Sequence, residues 1–377
     1  MPVRETAPRT IAFAGGGSGG HLSPGLAIAE AFESARIPLR AKFLCSQRPI
    51  DAEILGAAGV DFAPIPARPG RSLRALWAFP GAVRAGGRLL RECDAAVLVS
   101  LGGFISLPVA LAARRARIPI LLVNLDAVAG RANRFVARVA TRVLSAVPTR
   151  HLAVADSDIV GMPIRRAARA DRPPPDCRAR LGLDPQRRTL LVTGASQGSS
   201  SLNEAVPSIL SRAASRELRR DWQVLHLAGS LNEPRLGELM ERYRTAGIPA
   251  LVVPFLHQMG AAWGAATLAV TRGGASSVAE AAANCVPSIV VPFPHHRDRH
   301  QRLNAAPFVS LGAFRLAADP SHETGEDAPL AEVLIAALGD SSFLESAAAR
   351  LRSTGRTDPG ARVVREVESL ISRRDGR

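Results

Sequence analysis

Cysteine is sparse and unpaired. Four residues (Cys45, Cys93, Cys177, Cys285) are scattered with no CxxC pair. That excludes a zinc ribbon and a disulfide scaffold, and it fits a reducing cytoplasm. Aromatic residues are 4% of the chain, with one Tyr and three Trp. That is too few for the basic, ring-studded surface of a nucleic-acid binder, so no nucleic-acid partner is expected. No apolar run is both long and unbroken. Residues 95–113 and 246–271 reach membrane-span length without charge, but Gly102, Gly103 and Pro108 interrupt the first, and Pro249, Pro254 and His257 the second. Each reads as a buried strand, a loop and then a helix. The N-terminal apolar core, Ile11 to Ala14, is too short for a secretory signal. HExxH and GK[ST] are both missing, and no motif calls for a metal or cofactor.

What is present suits a large folded protein. The chain has 377 residues, 47% hydrophobic and 21% charged, enough for two or three domains with buried cores. Its net charge is +15, almost all of the excess being arginine. Such a surplus favours an anionic partner, a phosphate-bearing substrate or an acidic membrane; an arginine-rich genome would give the same composition. Arg68, Arg71, Arg74, Arg84, Arg88 and Arg91 stand beside Leu73, Leu76, Trp77 and Phe79. A basic and apolar stretch of this kind suits an anionic membrane surface; the plain alternative is a helix with a core face and solvated arginines.

One pattern recurs along the chain: an apolar, β-rich run, a Gly or Pro turn, then an Ala/Leu-rich helical stretch. Strands are expected at 10–14, 41–45, 95–100, 118–124 and 142–147, and again at 189–193, 223–228, 250–254, 268–271 and 288–293. Apolar strands separated by helices indicate an α/β fold with parallel sheets covered on both faces. The Pro-rich basic segment 165–176 reads as a linker. Two Rossmann-like domains, 1–164 and 165–354, are expected to face each other across a cleft, with a C-terminal helix at about 355–377 packing back on the first. Residues 338–373 read as helical and amphipathic.

Small-residue loops follow the leading strands. Gly15, Gly17 and Gly20 satisfy GxGxxG before a helix expected at 25–34. Glycines admit a diphosphate close to the backbone, and a helix N-terminus supplies free N–H groups. The next strand ends Leu44-Cys45-Ser46-Gln47 without the acid that a nicotinamide site needs, so the loop argues for phosphate and not for NAD. The second half offers Gly194-Ala195-Ser196-Gln197-Gly198-Ser199 at the same place, and Arg272 to Glu280 later. There Ser276 or Ser277 would cap a helix or hold a phosphate. Glu280, about one turn in, would accept hydrogen bonds from a ribose diol or simply complement the helix dipole. His295, His296 and His300 suggest metal by count, but the preceding prolines make a loop and favour sugar or phosphate contacts.

Together these loops resemble the MurG family, GT-B glycosyltransferases that add N-acetylglucosamine to a lipid-linked muramoyl-peptide in peptidoglycan synthesis. The resemblance runs from Gly15 to about residue 315. It is carried by GGGSGGHLSPGLAIAE, by Ser100 to Pro108 (a GMGGYVSGP-like loop), by Val160 to Arg165 (GNPVR-like), by Gly194 to Ser199 (GGSQGA-like), by RGGASSVAE and by VPFPHHRDRHQRLNA. It implies a lipid-diphosphate acceptor in the N-terminal domain, around Gly102, Gly103 and Asp126, and UDP-N-acetylglucosamine in the C-terminal domain. It places Ser18, Gly19, Gly20, Arg165, Ser196, Leu256, Ala275, Ser276, Ser277, Val278, Ala279, Glu280 and Gln301 at the donor, with His300 as the alternative to Gln301 because Pro294 is one extra residue. It implies inverting transfer by a peripheral enzyme on the cytoplasmic face of the cell membrane.

The chain departs from the family at one functional run. Members usually carry His-Glu-Gln-Asn where Val123-Asn124-Leu125-Asp126 stands here. This leaves open a different acceptor lipid, or a weakly active paralogue that binds a nucleotide sugar and regulates wall synthesis. Two side chains compete for the general base. His21 closes the first glycine loop and has an ordinary pKa of about 6.5. Asp126 replaces an amide, and in an extended chain lies on the same side as the lost Glu at Asn124.

Overall fold

The computed structural model describes residues 8–16, 19–70, 73–194, 198–213, 215–322, 326–354 and 358–376. The chain divides into two units, 1–165 with 357–377, and 166–356.

The first unit contains β1 (Arg9–Ala14), α1 (Gly19–Ser34), β2 (Leu39–Cys45), α2 (Pro49–Ala57), β3 (Asp61–Pro64), α3 (Leu73–Glu92), β4 (Ala95–Ser100), α4 (Ser106–Arg115), β5 (Ile120–Asn124), α5 (Arg131–Val136) and β6 (Arg142–Ser145). The second contains α6 (Pro174–Arg180), β7 (Arg188–Thr193), α7 (Ser200–Arg212), α8 (Arg216–Asp221), β8 (Trp222–Leu227), α9 (Leu236–Thr245), β9 (Ala250–Val253), α10 (Met259–Ala265), β10 (Leu268–Thr271), α11 (Ala275–Ala283), β11 (Ser288–Val290), α12 (His300–Ser310), β12 (Phe314–Leu316), α13 (Leu330–Gly339) and α14 (Ser341–Ser353). The last helix, α15 (Pro359–Asp375), belongs to the first unit, where it packs on α1.

Each unit holds one six-stranded sheet, wholly parallel. The orders are β3-β2-β1-β4-β5-β6 and β12-β11-β10-β7-β8-β9. Renumbered from β7, the second order is the first one reversed, so both are doubly wound Rossmann-type sheets. The central strands are apolar throughout: β4 and β8 are buried along their whole length. Such runs follow from helices covering both faces.

All ten expected strands are present, with ends differing by at most three residues, and β3 and β12 are additional. Three other readings need correction. The first helix starts at Gly19, not at residue 25, because the final glycines of the loop already form its first turn. The segment 165–176 does start at the boundary between the units, but it is ordered in part: Arg166–Ala168 makes a short 3-10 turn, and Pro174 opens α6 with proline at a position needing no N–H. The amphipathic stretch 338–373 is two helices, each N-capped by an aspartate: Asp340 accepts from the Phe343 N–H and Asp358 from the Ala361 N–H. Among the described residues no helix is long and apolar enough to cross a membrane.

Candidate functional site

In a doubly wound sheet, ligands bind beyond the carboxyl ends of the strands where the order reverses. That point lies between β1 and β4 in the first unit, and between β7 and β10 in the second. The four loops singled out from sequence leave these four strands.

In the first unit the two glycine loops touch. A Cβ on Gly103 (φ 83°) would stand 2.4 Å from the Gly16 carbonyl oxygen, so only glycine fits. The Leu101 N–H donates to Ala14 O at 2.8 Å, and Ser106 Oγ lies 2.6 Å from Gly102 O and 3.2 Å from Ala14 O. A Cβ on Gly102 would lie 3.2 Å from His21 Cδ2 and 3.0 Å from Asn133 Oδ1. His21, Gly102 and Asn133 therefore meet at one spot, with Gly19 and Gly20 in the helical turn just before His21. Ser18 lies outside the described residues.

Burial pushes the His21 pKa below its ordinary 6.5, while the carboxylates of Asp126 and Asp51 act in the opposite direction. Asp51 is wholly buried in the first turn of α2 and accepts from the Ser46 N–H at 3.0 Å and its hydroxyl at 2.6 Å. Sequence reasoning missed this residue, which reaches the site only through the fold. Asp126 is part-buried just beyond β5.

Asn124 is not on the surface beside Asp126. It is wholly buried, donating to Asp126 O (2.8 Å) and Ser145 Oγ (3.1 Å), and accepting from Asn133 Nδ2 (3.0 Å). A carboxylate would also accept from Asn133, but it could not make the two donated bonds. Asn133 Oδ1 has no hydrogen-bond partner among the described residues.

In the second unit, Ser196 lies outside the described residues. Gly198 (φ 78°) is forced by Ala228, whose carbonyl oxygen would sit 2.0 Å from a Cβ. Helix α11 is capped by Gly274 and contains Ala275, Ser276, Ser277, Val278, Ala279 and Glu280. Neither serine is the cap; both are in the first turn. Glu280 is the sixth helical residue, beyond the first turn, so the dipole reading of it fails. Its Oε2 instead accepts the Trp263 Nε1 proton at 3.0 Å. Gln301 is committed to backbone: its Oε1 accepts from the N–H groups of Phe293 (2.8 Å) and Gly273 (3.3 Å). These two bonds use the Gln301 oxygen and not its amide NH₂. His300 opens α12 with its Nδ1 2.7 Å from Asp298 Oδ1, and its ring centre lies 4.4 Å from that of His296, the planes tilted by 34°. Leu256 packs partly into the core, and its neighbour Phe255 is exposed.

Behind these loops Arg272 joins four elements. Its guanidinium bonds Asp319, Val291 O (3.1 Å) and Ser201 Oγ (2.9 Å), and it lies 5.7 Å from the Phe293 ring centre. Burial opposes ionisation of Asp319. The Ser321 N–H and hydroxyl and the Arg272 charge outweigh it and hold the carboxyl below its usual range. Arg165 lies in the first unit, paired with Glu30 of α1 at 3.2 Å.

Known proteins resemble the chain along nearly its whole length. Residues 11–145 match the glycosyltransferase family 28 N-terminal domain, and residues 189–348 the glycosyltransferase family 28 C-terminal domain. The chain is 37% identical to the UDP-N-acetylglucosamine–N-acetylmuramyl-(pentapeptide) pyrophosphoryl-undecaprenol N-acetylglucosamine transferase of Halorhodospira halophila, over 96% of this chain and 98% of that one. It is 36% identical to the protein of the same name from Acidothermus cellulolyticus, over 97% and 98%. Among solved structures, Acinetobacter baumannii MurG aligns with a TM-score of 0.73 at 22% identity, covering 96% of this chain and 99% of that one. The calicheamicin glycosyltransferase CalG4 aligns at 0.64 and 18% identity, covering 98% and 99%. At those identities the structures speak for a shared two-domain glycosyltransferase fold.

Proposed function

The chain belongs to the MurG family of glycosyltransferases, and from that membership we propose that it transfers N-acetylglucosamine from UDP-N-acetylglucosamine, with inversion, to a polyprenyl-diphosphate-linked muramoyl-peptide. The first unit takes the acceptor, its diphosphate against the paired glycine loops at Gly16 and Gly102–Gly103. The second takes the nucleotide sugar, with Glu280 on the ribose, the Leu256 backbone on the uracil and the Gln301 NH₂ on the sugar. The donor's diphosphate faces the start of α11, a helix N-terminus whose positive end suits an anion.

In the reaction, His21 takes the proton of the attacking acceptor hydroxyl as that oxygen bonds to the anomeric carbon. The bond from that carbon to the UDP oxygen breaks on the opposite face, and UDP leaves as an anion. The N–H groups of the α11 turn stabilise the charge that develops there. The observation that carries this reading is the gathering of His21, Gly102 and Asn133 beyond the carboxyl ends of β1 and β4. A second reading, transfer to a different lipid acceptor, is favoured by the buried Asn124 network that replaces a family carboxylate.

The enzyme works as a peripheral protein on the anionic cytoplasmic face of the cell membrane. Purified protein incubated with labelled UDP-N-acetylglucosamine and a lipid extract should move label into the lipid fraction, and mass spectrometry of the product separates the two readings. UDP-sugar binding with no transfer to any lipid overturns both.

A further inference from the structure

We propose that Trp263 is a positioning residue of the donor site, its indole N–H holding one oxygen of Glu280 so that the carboxylate meets the ribose diol of a uridine nucleotide already oriented. This rests on the reading of Glu280 as the ribose ligand. Trp263 stands seventeen residues before Glu280, on another helix.

Trp263 is 1% exposed and lies in the core cluster that also holds Val278 and Ala281 of α11. An indole nitrogen is a donor only, and when buried it must find an acceptor. Here it donates to Glu280 Oε2 at 3.0 Å. The helix carrying the indole is itself fixed. A Cβ on Gly260 would stand 2.2 Å from Arg169 O, and one on Gly264 would stand 2.5 Å from Cys177 Sγ, so α10 lies flush on the chain that enters the unit.

The backbone of Glu280 is tied to the same chain segment. Asn284 Nδ2 donates to Glu280 O at 2.8 Å and to Ala168 O at 2.9 Å, while Asn284 Oδ1 accepts from the Ala170 N–H at 2.7 Å. Glu280 is thus gripped at both ends, by Trp263 on its carboxylate and by Asn284 on its carbonyl. A glutamate free to rotate would lose that freedom on binding; one already held loses little, and affinity rises by the difference. An ionised carboxylate has about four lone-pair sites, and the Trp263 bond uses one of them.

The test compares UDP with 2′-deoxy-UDP, which lacks one of those hydroxyls, by calorimetry on the full-length protein. Trp263→Phe should weaken UDP about tenfold and 2′-deoxy-UDP, which keeps one of the two hydroxyls, by clearly less, so that the preference for the ribonucleotide falls. In turnover it should raise the donor KM with kcat little altered. Glu280→Gln should also erase the preference, and adding Trp263→Phe to it should cost nothing more. If Glu280→Gln erases the preference and Trp263→Phe keeps it, Trp263 is packing alone and the proposal falls. If Glu280→Gln keeps it, the ribose assignment itself is wrong. A measurement on the unsubstituted protein covers a variant that folds poorly: the Trp263 indole proton resonance should shift on adding UDP and shift less with 2′-deoxy-UDP, and equal shifts would overturn the proposal.

Discussion

At the scale of single residues, the question is which side chain takes the acceptor's proton. In the proposed reaction it is His21: burial lowers its pKa and so favours the neutral imidazole that a base needs. His21→Ala should lower kcat roughly 10²–10⁴-fold. Asp126 raises the His21 pKa through its charge. Asp126→Asn should therefore keep turnover at neutral pH and move the acid limb of the kcat/KM profile to lower pH. Loss of transfer in Asp126→Asn with an active His21→Ala would reverse the two roles. The site was legible in sequence where a loop follows a strand, as at Gly102, Gly103 and His21. It was not legible where partners come from different elements: Asp51 behind the first loop, Trp263 beneath Glu280, and Gln301 engaged through its oxygen by two backbones.

At the scale of elements, both strands that sequence reading passed over, β3 and β12, are edge strands. Each is short, and an edge strand pairs on one side only, so neither carries the continuous apolar run that marks β4 or β8. Helix α3 was legible as basic and apolar, but its two apolar aromatics differ. Phe79 packs against the core, whereas Trp77 is 84% exposed. At helical spacing Trp77 shares a face with Arg74, Arg84, Arg88 and Arg91, all exposed, opposite the buried Ala82, Val83 and Leu90. Helix α4 packs against α3 and α5, and α5 exposes Phe135 with Arg138 5.0 Å from its ring centre. An aromatic set in an arginine stripe inserts at a headgroup boundary while the charges face anionic lipid, each worth about 1 kcal/mol near the surface. Trp77→Ser should cut binding to phosphatidylserine-containing liposomes at least about tenfold, with folding intact because the side chain is in solvent. Binding should also weaken as salt rises. Sedimentation indifferent to salt and to Trp77→Ser would remove α3 from the interface.

At the scale of the whole molecule, the two units repeat one strand order but differ in how they close. The first is completed from the far end of the chain, where Arg374 of α15 donates to the carbonyl oxygens of Ala95 (2.9 Å) and Ala96 (3.0 Å). The second is closed by its own sequence and carries a buried polar network inside. His226 of β8 has Nδ1 2.7 Å from the Tyr243 hydroxyl and Nε2 3.0 Å from Asn203 Oδ1, with no exposure at all. Burial pushes its pKa down to about 3. In the unfolded chain a histidine titrates near 6.5. Between about pH 6.5 and 3 the unfolded state therefore binds a proton that the folded unit refuses. The stability contributed by the neutral imidazole is complete above about 6.5 and is lost as pH falls through that window, by about 1.4 kcal/mol per pH unit. His226→Gln removes this titration and, by disturbing the network, should cost roughly 1–3 kcal/mol at pH 7.5. The gap between the two proteins should then narrow on acidification and close near pH 5. Urea unfolding in a Trp77→Phe background reads the second unit alone, because the other two tryptophans, Trp222 and Trp263, both lie in it. A gap that stays constant from pH 7.5 to 5 would mean that His226 is protonated in the folded unit as readily as in the unfolded chain.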